Sequence, residues 1–151
     1  MIIKPENFFL TAGKGKGEYP LIAFDNALKD AKISDYNLLK VSSILPNGVK
    51  EKKIIDLPKG SIIFIAYSYL IAEEGLITSA CSVAIPQREN DIGVIMEFSG
   101  NVSKKEAEEK VKEMAEIAMK ERNILIKKIL VKSKSIIAKK YSCVISGCCL
   151  W

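Results

Sequence analysis

Two adjacent serines, Ser42 and Ser43, lie in the run Asn37-Leu-Leu-Lys-Val-Ser-Ser-Ile-Leu-Pro-Asn-Gly48, in a chain that has 0 histidines. Without imidazole, a Ser-His-Asp triad, a Cys-His dyad and a histidine-ligated zinc are all excluded. Chemistry on amino acids must then use carboxylates, lysines, thiols, hydroxyls or a group the chain makes from itself. A Ser-Ser peptide can be the source of such a group. Attack of the Ser43 hydroxyl on the Ser42 carbonyl turns the amide into an ester. Elimination then cuts the chain and leaves dehydroalanine at position 43. Hydrolysis releases ammonia and gives a pyruvoyl ketone. Two serines that merely turn the chain at a strand end are the commoner reading of an isolated pair, so the surroundings must decide.

Other reactive side chains offer less. Cys81, Cys143, Cys148 and Cys149 lack the paired C-x-x-C spacing of a zinc site. They read as small buried strand residues of a protein kept in a reducing compartment. The formal net charge of +5 invites a nucleic-acid partner. Yet the lysines are scattered or follow one helical face, no recognition motif accompanies them, and a solvated surface is the simpler reading. Gly13-Lys-Gly-Lys-Gly17 does not match a phosphate loop and reads as a flexible turn.

The elements that must position the serine pair follow from periodicity. With 151 residues, 48% of them hydrophobic, the chain is expected to form a single domain over 1–151 with its own core. No signal peptide is read at Met1-Ile-Ile-Lys-Pro-Glu6, and the apolar run Ile62–Ala72 is well short of the ~20 residues a membrane helix needs. A soluble, cytoplasmic protein is the expectation. Strands are predicted at Phe8–Ala12, Tyr36–Ile44, Ser61–Ile71, Ile77–Ile85, Ile92–Phe98, Ile124–Val131 and Tyr141–Leu150. A helix is predicted from Pro20, with Leu21, Phe24, Leu28 and Ala31 on its apolar face. Ser103-Lys-Lys-Glu106 is a capping box opening a second helix, with Ala107, Val111, Met114, Ala115 and Ala118 at core spacing. This order gives a layered α+β protein with sheets covered by helices.

The run Asn37–Gly48 resembles the cleavage segment of the pyruvoyl-dependent arginine decarboxylase family. Pro20-Leu-Ile-Ala-Phe-Asp-Asn-Ala-Leu28, Ser82-Val-Ala-Ile-Pro86, Gly93-Val-Ile-Met-Glu-Phe98, Ser103-Lys-Lys-Glu-Ala-Glu108 and the closing Leu150-Trp151 match the family in order. The resemblance covers nearly the whole chain. It implies a four-layer αββα sandwich, made as a zymogen and autocatalytically cleaved between Ser42 and Ser43. Residues 1–42 become the β chain, and residues 43–151 become an α chain beginning with the pyruvoyl group. It also implies a trimer of processed protomers with active sites between subunits. Metal and pyridoxal phosphate are not expected as cofactors.

The implied reaction is decarboxylation of L-arginine to agmatine and carbon dioxide through a Schiff base to the pyruvoyl group formed from Ser43. The electron-sink role matches that of pyridoxal phosphate elsewhere. Agmatine can enter polyamine biosynthesis, or its formation can consume protons in acid. The resemblance assigns Glu97 as the proton donor, Asn37 as the amide that polarises the Ser42 carbonyl, and Asp25 as the carboxylate for the guanidinium. Ser34, Tyr36 and Ile44 complete the implied substrate pocket. Departures lie nearby: Ser34-Asp35-Tyr36 is bulkier and more acidic than the Gly-Asn-Val found there in relatives, and Ala72-Glu-Glu-Gly-Leu-Ile77 is a shorter loop. The alternatives are a pyruvoyl-dependent decarboxylase of histidine, lysine or ornithine, and an unprocessed non-catalytic oligomeric relative. A nucleic-acid-binding module comes third.

Overall fold

The computed structural model describes residues 1–151. Nine strands and two helices follow in the order β1 (Asn7–Lys16), α1 (Pro20–Asp30), β2 (Asn37–Lys40), β3 (Ile44–Leu45), β4 (Lys50–Glu51), β5 (Ile62–Ala72), β6 (Leu76–Pro86), β7 (Gly93–Gly100), α2 (Lys104–Glu121), β8 (Ile126–Ile137) and β9 (Ser142–Leu150). They build an α+β structure with two sheets, one of five strands in the order β2-β5-β9-β1-β4 and one of four in the order β3-β7-β6-β8. No helix is long and apolar enough to cross a membrane.

Strand β1 departs most from the sequence reading. Gly13, Gly15 and Gly17 do not form a flexible turn. The first two lie within β1, paired with Ile145 and Cys143 of β9. Their missing side chains let α1 lie directly on the strand. A Cβ at Gly13 or Gly15 would overlap the backbone of Ala27, and one at Gly17 would come within 2.7 Å of the Ala23 nitrogen. The helix answers with its own small residues, so the buried face of α1 is Ala23, Ala27 and Leu28, with Ala31 at the C-cap. Leu21, expected in the core, is 73% exposed. Here the close helix–strand approach overrides the apolar periodicity.

The second helix follows its sequence. The Ser103 side chain accepts a hydrogen bond from Glu106 N, and the Glu106 carboxylate accepts one from Ser103 N. Ala107, Val111, Ala115, Ala118 and Met119 are buried, while Met114 is half-buried.

The apolar clusters show which faces meet. Ala23, Ala27, Leu28 and Ile33 pack with Ile63, Ile65, Ile145 and Cys149 of the five-stranded sheet. Ala115 and Met119 of α2 pack with Ala84 and Val94 of the four-stranded sheet. A further cluster draws on both sheets: Phe8, Leu10, Ala66, Cys148 and Leu150 from one, and Leu45, Cys81, Val83 and Ile95 from the other. Alternate residues of β6, β7 and β9 thus face opposite cores, which explains why these strands read as continuous apolar runs. The four thiols are buried and free. Burial pushes all four well up from ordinary thiol values, Cys143 and Cys149 to about 12, so none is poised as a nucleophile.

Substituting Gly15 by Ala is expected to destabilise the protein by about 1–3 kcal/mol through overpacking. A lowered urea midpoint is the expected reading; an unchanged one would mean that α1 can move away from the strand without loss.

Candidate active site

The predicted strand Tyr36–Ile44 is two short strands belonging to different sheets. Asn37–Lys40 runs parallel to Ile62–Ile65 in the five-stranded sheet, and Val41 N still donates to Ile65 O at 3.0 Å. Ile44 and Leu45 run antiparallel to Val94 and Gly93 in the four-stranded sheet, and Ser43 O accepts from Ile95 N at 2.8 Å. The chain therefore changes sheets between Val41 and Ser43. Neither the carbonyl of Ser42 nor the N–H of Ser43 enters a ladder. The Ser42–Ser43 peptide is left free between two groups that are firmly held.

Register then places Glu97. It lies inside β7 rather than at a strand end, two residues beyond Ile95 and opposite Cys81 of β6. Ile95 and Cys81 belong to the inter-sheet core, so Glu97 faces the same space. Leu45 also faces it, which puts Ser43, two residues earlier, on that face as well. Because Ser43 is opposite Ile95, Glu97 is its diagonal neighbour, at a separation of about 7–8 Å.

Glu97 is surrounded by groups whose protons are already committed. One step along the inter-sheet layer, Ser68, Ser79, Ser99 and Ser146 form a hydroxyl cluster. Ser99 donates to Ser79 at 2.8 Å, and Ser79 donates to the Ser68 carbonyl at 3.0 Å. Each serine has one hydrogen to give. Ser68 must therefore donate to Ser99 at 2.7 Å, and Ser146 to Ser79 at 2.6 Å. The Cys81 and Cys148 thiols point at the Ser82 and Cys149 carbonyls. Glu97 Oε2 is buried without a hydrogen-bond partner. Burial pushes the Glu97 carboxyl up from its ordinary value, and the nearby Lys40 ammonium partly opposes that rise. Such a group can hold a proton and release it within the protein, as a general acid must.

Other residues singled out in the sequence lie farther along. Asn37 opens β2, separated from Ser42 by about 16 Å of extended chain. Its side-chain amide donates to Gly60 O at 3.0 Å. Ser34 Oγ lies 3.4 Å from Asp35 Oδ1, and Asp35 pairs with Lys59 at 2.9 Å. The Tyr36 hydroxyl meets the carbonyls of Leu57 and Ile55 at 3.2 and 3.3 Å, anchoring the 52–61 segment. Asp25 on α1 pairs with Lys29 at 3.1 Å. Its neighbour Phe24 meets Tyr69 edge-on at 4.9 Å, and Tyr69 stacks on Tyr67 at 6.1 Å. Ile44 is 38% exposed beside the serine pair. The chain thus gathers Ser42, Ser43, Ile44 and Glu97 at the change of sheets, while Asn37, Ser34 and Tyr36 sit at the other end of β2.

The sequence reading did not single out Lys40, Tyr67 or the serine cluster. A usable signal was present: Ser68, Ser79 and Ser146 interrupt otherwise apolar strands, as inward-facing polar groups that satisfy one another do. Clefts of about 450 Å³ between β1 and β8 and about 330 Å³ beside the Pro46–Lys50 turn are lined by neither Ser43 nor Glu97.

Comparison with known proteins gives these residues a context. Residues 7–151 match the family model described as pyruvoyl-dependent arginine decarboxylase, a class whose electrophile is a pyruvoyl group. The chain is 38% identical over 149 residues to the pyruvoyl-dependent arginine decarboxylase of Methanocaldococcus jannaschii, covering 97% of this chain and 90% of that protein. The same enzyme of Methanococcus aeolicus is also 38% identical over 149 residues, with the same 97% and 90% coverage. That of Thermococcus kodakarensis is 32% identical over 137 residues, 89% of this chain and 87% of the relative. The chain belongs to the pyruvoyl-dependent arginine decarboxylase family.

The raised Glu97 carboxyl has a consequence for stability. The folded protein keeps this proton to a higher pH than the unfolded chain, whose glutamate titrates near 4.5. Stability therefore falls as pH rises from that value through the folded one. Glu97→Gln removes this loss. The variant is expected to gain stability over wild type at pH 8 relative to pH 4, read from urea midpoints. An equal difference at both pH values would show that Glu97 titrates normally.

Proposed function

We propose that the chain is a self-processing decarboxylase that converts L-arginine to agmatine and carbon dioxide with a pyruvoyl group derived from Ser43. The observation that carries this reading is the half-buried Glu97 carboxyl on the same face as Ser43, its Oε2 buried without a hydrogen-bond partner, beside a serine peptide left out of both sheets. Residues 1–151 form one domain, folded as a four-layer αββα sandwich. The helix-on-sheet cores and the core shared by the two sheets support that arrangement.

Processing begins with Ser43 Oγ attacking the Ser42 carbonyl carbon, which no ladder bond restrains. Residues 1–42 and 43–151 are the products. The Ser43 carbonyl is held by Ile95 N–H, so the residue that bears the new group stays fixed on the Glu97 face. The pyruvoyl carbonyl supplies the electron sink that loss of a carboxylate requires. Glu97 holds the proton that replaces the departing carbon dioxide at the substrate Cα. The neighbouring hydroxyls and thiols donate elsewhere.

Asn37 polarises the Ser42 carbonyl, and Asp25, Ser34, Tyr36 and Ile44 receive the side chain of arginine. The extended stretch of chain between Asn37 and Ser42 supports a site shared between protomers of a trimer, in which one subunit's Asn37 end meets another's serine pair. Four free buried thiols suit a reducing cytoplasm.

Intact mass under denaturing conditions tests the cofactor. Two pieces are expected, divided at Ser42/Ser43, the larger lighter by one ammonia than a peptide starting with serine. Ser43→Ala is expected to give one chain and no carbon dioxide from arginine. Glu97→Gln is expected to cleave and to lose about 10²–10⁴ in turnover. A single persistent chain in the wild type would favour a non-catalytic oligomer. Faster release from histidine, lysine or ornithine would move the substrate assignment.

A further inference from the structure

Four lysines take no part in the site described above. Lys52, Lys53, Lys132 and Lys134 line the cleft of about 450 Å³ between β1 and β8, with Glu51 as its one carboxylate. β1, β4 and β8 lie at the ends of the two sheets away from β2 and β3, so the cleft and the serine pair are on opposite sides of the fold.

One wall of the cleft is an open strand edge. Asn7 exchanges hydrogen bonds with Trp151 at 2.8 and 3.2 Å, so the odd-numbered residues of β1 turn their N–H and C=O groups toward β9. The even-numbered residues turn outward. Phe8 O accepts from Lys52 N at 2.7 Å, just past the end of β4. Lys14 N donates to the Asp30 carboxylate at 2.9 Å. Between these two, Leu10 and Ala12 face the cleft with no strand beside them.

β8 supplies the other wall. Lys134 and Lys132 stand opposite Ser79 and Cys81 of β6, on the face turned to the five-stranded sheet. Ser79 meets Ser146, the β9 partner of Ala12, so Lys134 is level with Ala12. By the same step Lys132 is level with Leu10, whose β9 partner is Cys148. Asp30 shows what such an edge and cation hold together. Its carboxylate takes both the Lys14 N–H and the Lys134 ammonium, the latter at 3.7 Å. At Ala12 and Leu10 the edge N–H groups recur beside lysines, and no acid of the chain reaches them. A small anion would use these N–H groups but would meet the carbonyls between them; a peptide strand uses both. Lysines along an edge keep neutral strands from pairing with it, and an acidic strand turns the same charges into attraction.

We propose that the edge of β1 at Leu10 and Ala12 is a docking site for an extended acidic peptide of a partner protein, which adds as a further strand and sets alternate carboxylates against Lys132 and Lys134. Main-chain hydrogen bonds hold the peptide, and the lysines select its charge. The occupant touches neither Ser43 nor Glu97, so the proposal stands apart from the decarboxylase reading.

The probe is acetyl-Glu-Val-Glu-Val-Glu-amide, added to the whole isotope-labelled protein while amide hydrogen exchange is followed residue by residue. In the free protein, Leu10 and Ala12 are expected to exchange fast, and Thr11 and Gly13, which bond to β9, slowly. Peptide at about ten times its Kd is expected to slow Leu10 and Ala12 roughly tenfold and to leave Thr11 and Gly13 unchanged. Lys132→Gln/Lys134→Gln is expected to raise the calorimetric Kd about tenfold, and acetyl-Gln-Val-Gln-Val-Gln-amide to bind wild type no better than that. Binding that leaves Leu10 and Ala12 unprotected overturns the proposal, as does equal protection by inorganic tripolyphosphate, which would make the cleft a general anion trap. Slow exchange of Leu10 and Ala12 in the free protein would mean that a second copy of the chain covers the edge, and overturns it too. So does a failure of the acidic peptide to bind.

Discussion

The chain leaves one sheet and joins the other between Val41 and Ser43, and the site depends on that step. A strand continuing in either sheet would bind both groups of the Ser42–Ser43 peptide into a ladder. Instead the ladder bonds stop at Val41 N and resume at Ser43 O. The unpaired peptide is flanked by anchors on both sides, so it stays out of the ladders without being free to wander. The same step uncovers the edge of β5 and opens the space between the sheets beside Glu97.

What fills that space is a matter of proton accounting. A carboxyl buried among good donors would ionise and become a structural anion. Here the serine hydroxyls satisfy one another and a backbone carbonyl, and the thiols face carbonyls of their own strands. The layer joins the sheets through polar contacts that ask nothing of Glu97. Its Oε2 is left without a partner. A carboxyl in this setting costs more to bury than an apolar residue would.

Much of this was legible in the sequence where local signals agree with the tertiary structure. The second helix is announced by Ser103 and Glu106 and carries its core residues at helical spacing. The inner strands read correctly because both faces are buried. The signals failed where a distant element decides. Gly13 and Gly15 look like a turn in isolation, but their lack of side chains serves a helix lying on the strand. Leu21 looks like core, yet the faces in contact are Ala23 and Ala27. The break at Val41–Ser43 is invisible in a run that reads as one strand, because only partner strands far along the chain divide it. Family resemblance supplied Asn37, Asp25 and Glu97 as site residues. It said nothing of the serine cluster between the sheets, whose members meet only once the strands are paired.

The position of β1 carries one more consequence. It lies between β9 and β4, both contributed by residues beyond 43, and it carries α1 on its face. β2 in turn leans on β5. A polypeptide severed after residue 42 would have its smaller piece woven into the middle of the larger, with no separable lobe. In the folded state the lost covalent link would hardly matter. After denaturation it would matter greatly, because recovery would change from a first-order event to a second-order encounter of two peptides. The cut would thus trade the loop-closure entropy of an intact chain for dependence on concentration, making the native state easy to keep and hard to regain once diluted.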